Sequence, residues 1–92
     1  MSYEHVKVNL LLNEIGAEVH RAGALFPPLN SPHEANSVIK EEYDEYWDEV
    51  KKHNRMKPDR DTRPRQREEL IQLAAMCTRA ILDTIDTPKE NL

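Results

Sequence analysis

Nine consecutive residues, Phe26-Pro27-Pro28-Leu29-Asn30-Ser31-Pro32-His33-Glu34, limit what this chain can become more than any other stretch. Pro27 and Pro28 forbid helix continuation and hold the segment extended. Ser31, Pro32 and Glu34 then form a helix start: a serine cap, a proline at the first helical position, and a glutamate placed to return a bond to the cap. Ahead of this punctuation, Val8, Leu11, Leu12, Ile15, Val19 and Ala22 recur at helical spacing, which predicts a helix over about 4–22 with Gly23 as its stop. Behind it, a second helix is expected over 32–52 and a polar, basic loop containing Pro58 over about 53–61. A third helix, over 62–86, tolerates Pro64 in its first turn and ends before Thr87 and Pro88, with the last residues frayed. Two glycines in 92 residues, with abundant Glu, Leu, Ala and Arg, favour helix over strand. The expectation is one all-α domain spanning 1–92, an antiparallel bundle of three main helices, with no internal repeat.

Composition narrows the classes further. At 38% apolar content and a mean hydropathy of -0.81, the chain has little material for a core of its own. No apolar run approaches the roughly 20 residues a bilayer span needs, so no membrane partner is expected. Polar and charged residues run throughout Met1 to His20, which argues against a secretory leader. The single Cys77 excludes an internal disulfide and, with no second cysteine, zinc fingers and ribbons; a reducing, cytoplasmic setting follows. Cys77 itself reads as a small core residue. The third helix carries Leu70, Leu73, Ala74, Cys77, Ala80, Ile81 and Ile85 on one arc, with Ile71, Ala75 and Leu82 outside it. A helix with two apolar faces needs two neighbours, so a homodimer or homotetramer is expected to complete the core.

Charge is unevenly distributed. The net charge of -4 combines a stretch from Lys51 to Arg67, with eight basic residues against Asp59 and Asp61, and a remainder at -10. Six of the nine residues from Glu41 to Glu49 are acidic. On a helical wheel Ala35, Val38, Ile39, Tyr46 and Val50 mark the core-facing arc of the second helix. Glu42 and Glu49 fall within that arc and Glu45 at its edge, whereas Glu41, Asp44 and Asp48 point outward. A carboxylate turned toward the core without a partner is strongly unfavourable, so something positive must meet these groups.

Arginines or a divalent cation could do so. Carboxylates spaced i, i+3 project from adjacent turns and suit a hard ion, Mg²⁺ or Mn²⁺, although ordinary salt bridging is the usual fate of one such pair. Glu69, at the margin of the third helix's apolar arc, changes the balance. If the second and third helices pack antiparallel, Glu69 approaches Glu42 and Glu45.

The run Glu41-Glu42-Tyr43-Asp44-Glu45, followed after 23 residues by Glu69-Leu70-Ile71-Gln72, resembles the E-E-x-x-E … E-x-x-D signature of the MazG-like all-α nucleoside triphosphate pyrophosphohydrolases. The resemblance extends from about Ser31 to Asp83. It implies that Glu42, Glu45 and Glu69 hold Mg²⁺, which grips a nucleoside triphosphate while water attacks the α-phosphate, releasing pyrophosphate and a nucleoside monophosphate. The fourth ligand position departs from the pattern: Gln72 stands where the family has aspartate, so a neutral carbonyl oxygen replaces an anion. Glu49, one turn beyond Glu45, is a candidate to compensate, and Glu45 or Glu49 is the candidate base for the attacking water. Lys40, Arg63 and Arg67 are candidates to brace phosphates, against a plain role in solubility. Phe26 is a candidate for base recognition. The basic loop lacks interleaved aromatics, which argues against nucleic acid as a partner. The alternative function is a non-catalytic helical oligomerisation module whose acidic site is degenerate through Gln72.

Overall fold

The computed structural model of the chain describes residues 2–87; Pro88 and the tail expected to fray lie outside the described residues. Three α-helices account for most of it, α1 (Tyr3–Leu25), α2 (Pro32–Lys52) and α3 (Arg63–Thr84), with a short 3₁₀ turn at Pro58–Arg60 and no strand among the described residues.

Each helix boundary has a local cause. Ser2 Oγ accepts from the His5 amide at 3.3 Å and caps α1. Gly23 does not stop this helix, which runs on to Leu25. The stop is Pro27, which holds Phe26 extended at φ -128° and ψ 145°. At the start of α2, Ser31 Oγ accepts from the Glu34 amide at 3.1 Å. Glu34 does not complete a reciprocal box; its carboxylate accepts from Asn30 Nδ2 at 3.3 Å instead. α3 begins at Arg63, after an N-cap residue, Thr62, whose side chain makes no capping bond. Asp61 Oδ1 accepts the Arg63 amide at 3.0 Å, while Thr62 Oγ1 donates to the Glu49 carbonyl at 2.5 Å.

The α2–α3 loop is built rather than loose. The Asn54 amide donates to the Arg60 carbonyl at 3.0 Å, and Asn54 Oδ1 accepts the Met56 amide at 3.0 Å. His53 Nδ1 accepts the Thr62 amide at 3.1 Å, which clamps the end of α2 to the start of α3.

These ties fix the directions of the helices. The end of α2 meets the start of α3 through Glu49 and Thr62, and the α1–α2 connector meets the end of α3 through the Leu29 amide and Asp83 Oδ2 at 2.9 Å. α2 and α3 are therefore antiparallel. α1 packs on the other side of α3, and Arg67 on α3 binds Glu14 on α1 with both guanidinium nitrogens, at 3.0 and 2.5 Å. The chain is flat, 57 × 37 × 19 Å, and its buried apolar residues are few: Ala22, Leu29, Ala35 and Ala75.

The face α3 turns to α2 differs from the apolar arc expected. Ala75 is 2% exposed and Arg79 6%, whereas Leu70, Ile81, Ile85 and Cys77 are exposed. Cys77 is accordingly not a core residue. The most buried positions of these helices are instead small ones, Ala35 on α2 and Ala75 on α3, and a largely polar stripe of Glu69, Gln72, Arg79 and Asp83 shares the side of Ala75 at i, i+3 and i, i+4 spacing.

Candidate metal centre

The antiparallel packing of α2 on α3 brings three carboxylates together. Glu42 and Glu45, one turn apart on α2, and Glu69 on α3 each place an oxygen such that the three lie within 4.8 Å of one another. Glu42 and Glu69 are half-buried and Glu45 is exposed, so the cluster is a shallow, one-sided bowl.

Its electrostatics are unfavourable as they stand. Glu42 Oε2 and Glu69 Oε2 are buried and have no hydrogen-bond partner. Burial, and then the adjacent Glu45 carboxylate, raise the Glu42 carboxyl above its ordinary value. Glu69 is pushed up to about 7 by burial, then by Glu45, with Glu42 and Glu49 adding to it. The fold thus gathers negative charge on three side chains without supplying them a cation: none of the three makes an ion pair among the described residues.

The donor set fits a hard divalent ion. It is all oxygen, and ligands about 2.1 Å from an octahedral Mg²⁺ stand roughly 3 to 4 Å apart, so oxygens within 4.8 Å of one another need close by about 1 to 2 Å at most, within the reach of side-chain rotation. The two orphaned oxygens are where such an ion would find acceptors already stripped of competing bonds.

The other candidate residues fall into three places. Glu49, 9% exposed, lies one turn beyond Glu45 and is held by Lys52 Nζ at 3.4 Å; its charge contributes to the raised Glu69 carboxyl. Gln72 is half-buried one turn beyond Glu69 on α3. Phe26, in the connector, lines a cavity that Glu42 also lines. Lys40, Arg63 and Arg67 are exposed, and the two arginines are engaged elsewhere. Arg63 forms a fork on Asp61 at 2.9 and 2.7 Å, which holds the Asp61 carboxyl well below the usual range, and Arg67 is committed to Glu14.

Two residues around the site escaped sequence reasoning. Arg79 donates through Nη2 to the Pro27 carbonyl at 3.0 Å and the Phe26 carbonyl at 3.5 Å, and Asp83 holds the Leu29 amide. Together they pin the Phe-Pro-Pro connector against α3, beside the carboxylates. Their signal in the sequence is the polar stripe running Glu69, Gln72, Arg79 and Asp83.

The chain matches no described family model, no curated protein and no solved structure.

Proposed function

We propose that the protein is a Mg²⁺-dependent nucleoside triphosphate pyrophosphohydrolase of the MazG-like kind, with Glu42, Glu45 and Glu69 as its metal-holding carboxylates. The observation that carries this reading is the convergence of these three oxygens within 4.8 Å, two of the residues having a buried oxygen left without a partner. A structural role for the cluster would require a cation from the chain, and none among the described residues pairs with it. The spacing of Glu41-Glu42-x-x-Glu45 and Glu69-x-x-Gln72 supports the same reading by resemblance.

In this site the bound ion supplies charge neutralisation for phosphate oxygens and a more acidic water. The chain's own residues do the rest. Glu42 and Glu69, half-buried and projecting from facing helices, would hold that ion between α2 and α3. Glu49, held in place by Lys52 and lying beyond the three converging oxygens, accepts the proton of the attacking water. Gln72 contributes a neutral carbonyl oxygen at the edge, which leaves the site one negative charge weaker than the family pattern and favours Mn²⁺ as an effective substitute.

Self-association belongs to the same reading. Leu11 on α1 and Leu70 on α3 are 40% and 44% exposed along an open groove between these helices, and a second copy would cover them. Cys77, free and exposed, suits a reducing, cytoplasmic setting.

The test is a panel of ribo- and deoxyribonucleoside triphosphates assayed for pyrophosphate release with Mg²⁺ or Mn²⁺. Metal-dependent release of pyrophosphate, with the monophosphate as the other product and loss of activity in Glu42→Gln, is the expected result. Metal binding without release from any nucleotide would replace this reading by that of a non-catalytic helical module.

A further inference from the structure

Arg79 is the most deeply buried charged side chain of α3, at 6% exposure, and no carboxylate lies within ion-pair distance of it among the described residues. Nη2 alone is engaged, with the Phe26 and Pro27 carbonyls. Nε and Nη1 have no hydrogen-bond partner among the described residues. Neither nitrogen is sealed from solvent, so both stay open to acceptor atoms of a bound molecule.

The surroundings say which kind of acceptor. Arg79 forms one wall of a cavity of about 350 Å³ whose other walls include Phe26, Leu29, Val38 and Met76, with Glu42 of the carboxylate cluster also on its lining. Glu34 and Glu41 stand on the same lining, so an anion entering here would meet one cation and three carboxylates. A phosphate is therefore disfavoured. A flat, uncharged ring fits: the Phe26 ring and the aliphatic wall take its faces, and Arg79 takes acceptor atoms on its edge.

We infer that this cavity is a nucleobase pocket and that Arg79 is its specificity-determining residue, reading bases that present two adjacent acceptors. Guanine does so with O6 and N7, and cytosine with O2 and N3. Adenine and uracil interrupt the pair with a donor, an amine beside N7 in adenine and N3–H in uracil. Each of the favoured bases also carries an exocyclic amine for which Glu41 is an acceptor on the same lining. Because Glu42 belongs to both the cavity and the carboxylate cluster, a base held here leaves its phosphates toward the metal centre. The inference thus rests on the nucleotide reading above and deepens it.

The test separates the two. The intact protein is titrated with GMP, CMP, AMP and UMP in EDTA, which removes the metal centre from the measurement, and binding is followed by amide chemical shifts. The expected result is GMP or CMP affinity at least about fivefold above AMP and UMP, the low end of what a bidentate arginine contact supplies. Shifts should centre on Phe26, Val38 and Met76, and the GMP and CMP arms decide which base is preferred. Arg79→Lys should flatten the preference. As Arg79 also anchors the connector, Met76→Trp provides a second variant, filling the cavity without removing the guanidinium and abolishing binding of all four. Equal affinity for all bases, shifts mapping elsewhere, or inorganic phosphate competing as well as GMP would overturn the inference. Such an outcome leaves metal-dependent pyrophosphate release standing, whereas base-selective binding without any metal response would remove the hydrolase reading and keep the pocket.

Discussion

Replacing Glu69 with glutamine should alter how stability depends on pH in the metal-free protein. A carboxyl moved from an ordinary value of 4.5 to about 7 is one whose proton the folded state holds more tightly than the unfolded chain does. The stability attached to that proton is complete below about pH 4.5 and is lost as pH rises through about 7. At 1.36 kcal/mol per pH unit the full displacement would amount to roughly 3.4 kcal/mol, and water reaching this half-buried group reduces it to about 1 to 2 kcal/mol. Urea melts in EDTA from about pH 5 to about pH 8 should therefore show the native protein losing about 1 to 2 kcal/mol, on a window chosen above the ordinary carboxylate range. Glu69→Gln carries no ionisable proton and should lose under about 1 kcal/mol, the remainder coming from Glu42, whose carboxyl is raised in the same direction. Millimolar Mg²⁺ should remove the loss in the native protein, since a cation replaces the proton as the partner of the cluster. An identical pH profile for native protein and Glu69→Gln would refute the claim that Glu69 is crowded by its carboxylate neighbours.

Three further outcomes follow from the same geometry. Glu49→Gln should lower turnover by about a hundredfold or more while leaving metal affinity nearly unchanged, because its carboxylate lies beyond the three converging oxygens; unchanged turnover would eliminate it as the base. Ala75→Leu should destabilise the fold by roughly 1 to 3 kcal/mol in chemical denaturation, as a residue 2% exposed has no room for added volume. Light scattering should report a dimer or tetramer whose mass falls to that of one chain in Leu70→Lys, and a native monomer would refute the proposed self-association.

The parts of this architecture legible in the sequence are those written in local chemistry. Ser31 and Pro32 mark the start of α2 because a cap and a fixed φ act on their own neighbours, and the structure begins that helix at Pro32. Glu42 and Glu45 were placeable on one face because i, i+3 spacing is a property of any helix, and adding Glu69 needed only the antiparallel return of α3. The end of α1 was less legible. Gly23 carries a helical backbone as readily as it ends one, and the stop belongs to Pro27 two residues beyond Leu25. The face of α3 was misread because a wheel weighted by large apolar residues points to Leu70, Ile81 and Ile85. The most buried position of α3 is instead the small Ala75, with Glu69 beside α2 and Arg79 turned to the connector. Nothing in residue spacing alone says that Arg79 meets the carbonyls of residues more than 50 positions earlier.

The most direct measurement of the central claim is Mn²⁺ binding followed by electron paramagnetic resonance, in which the free ion's signal is lost on coordination. The account predicts a saturable site on each chain that Mg²⁺ competes away and that Glu42→Gln and Glu69→Gln each weaken strongly, with Glu4→Gln, exposed in the first turn of α1, as an unaffected control. A free-ion signal that persists at millimolar protein, or one that the cluster variants quench as well as the native chain, would contradict it.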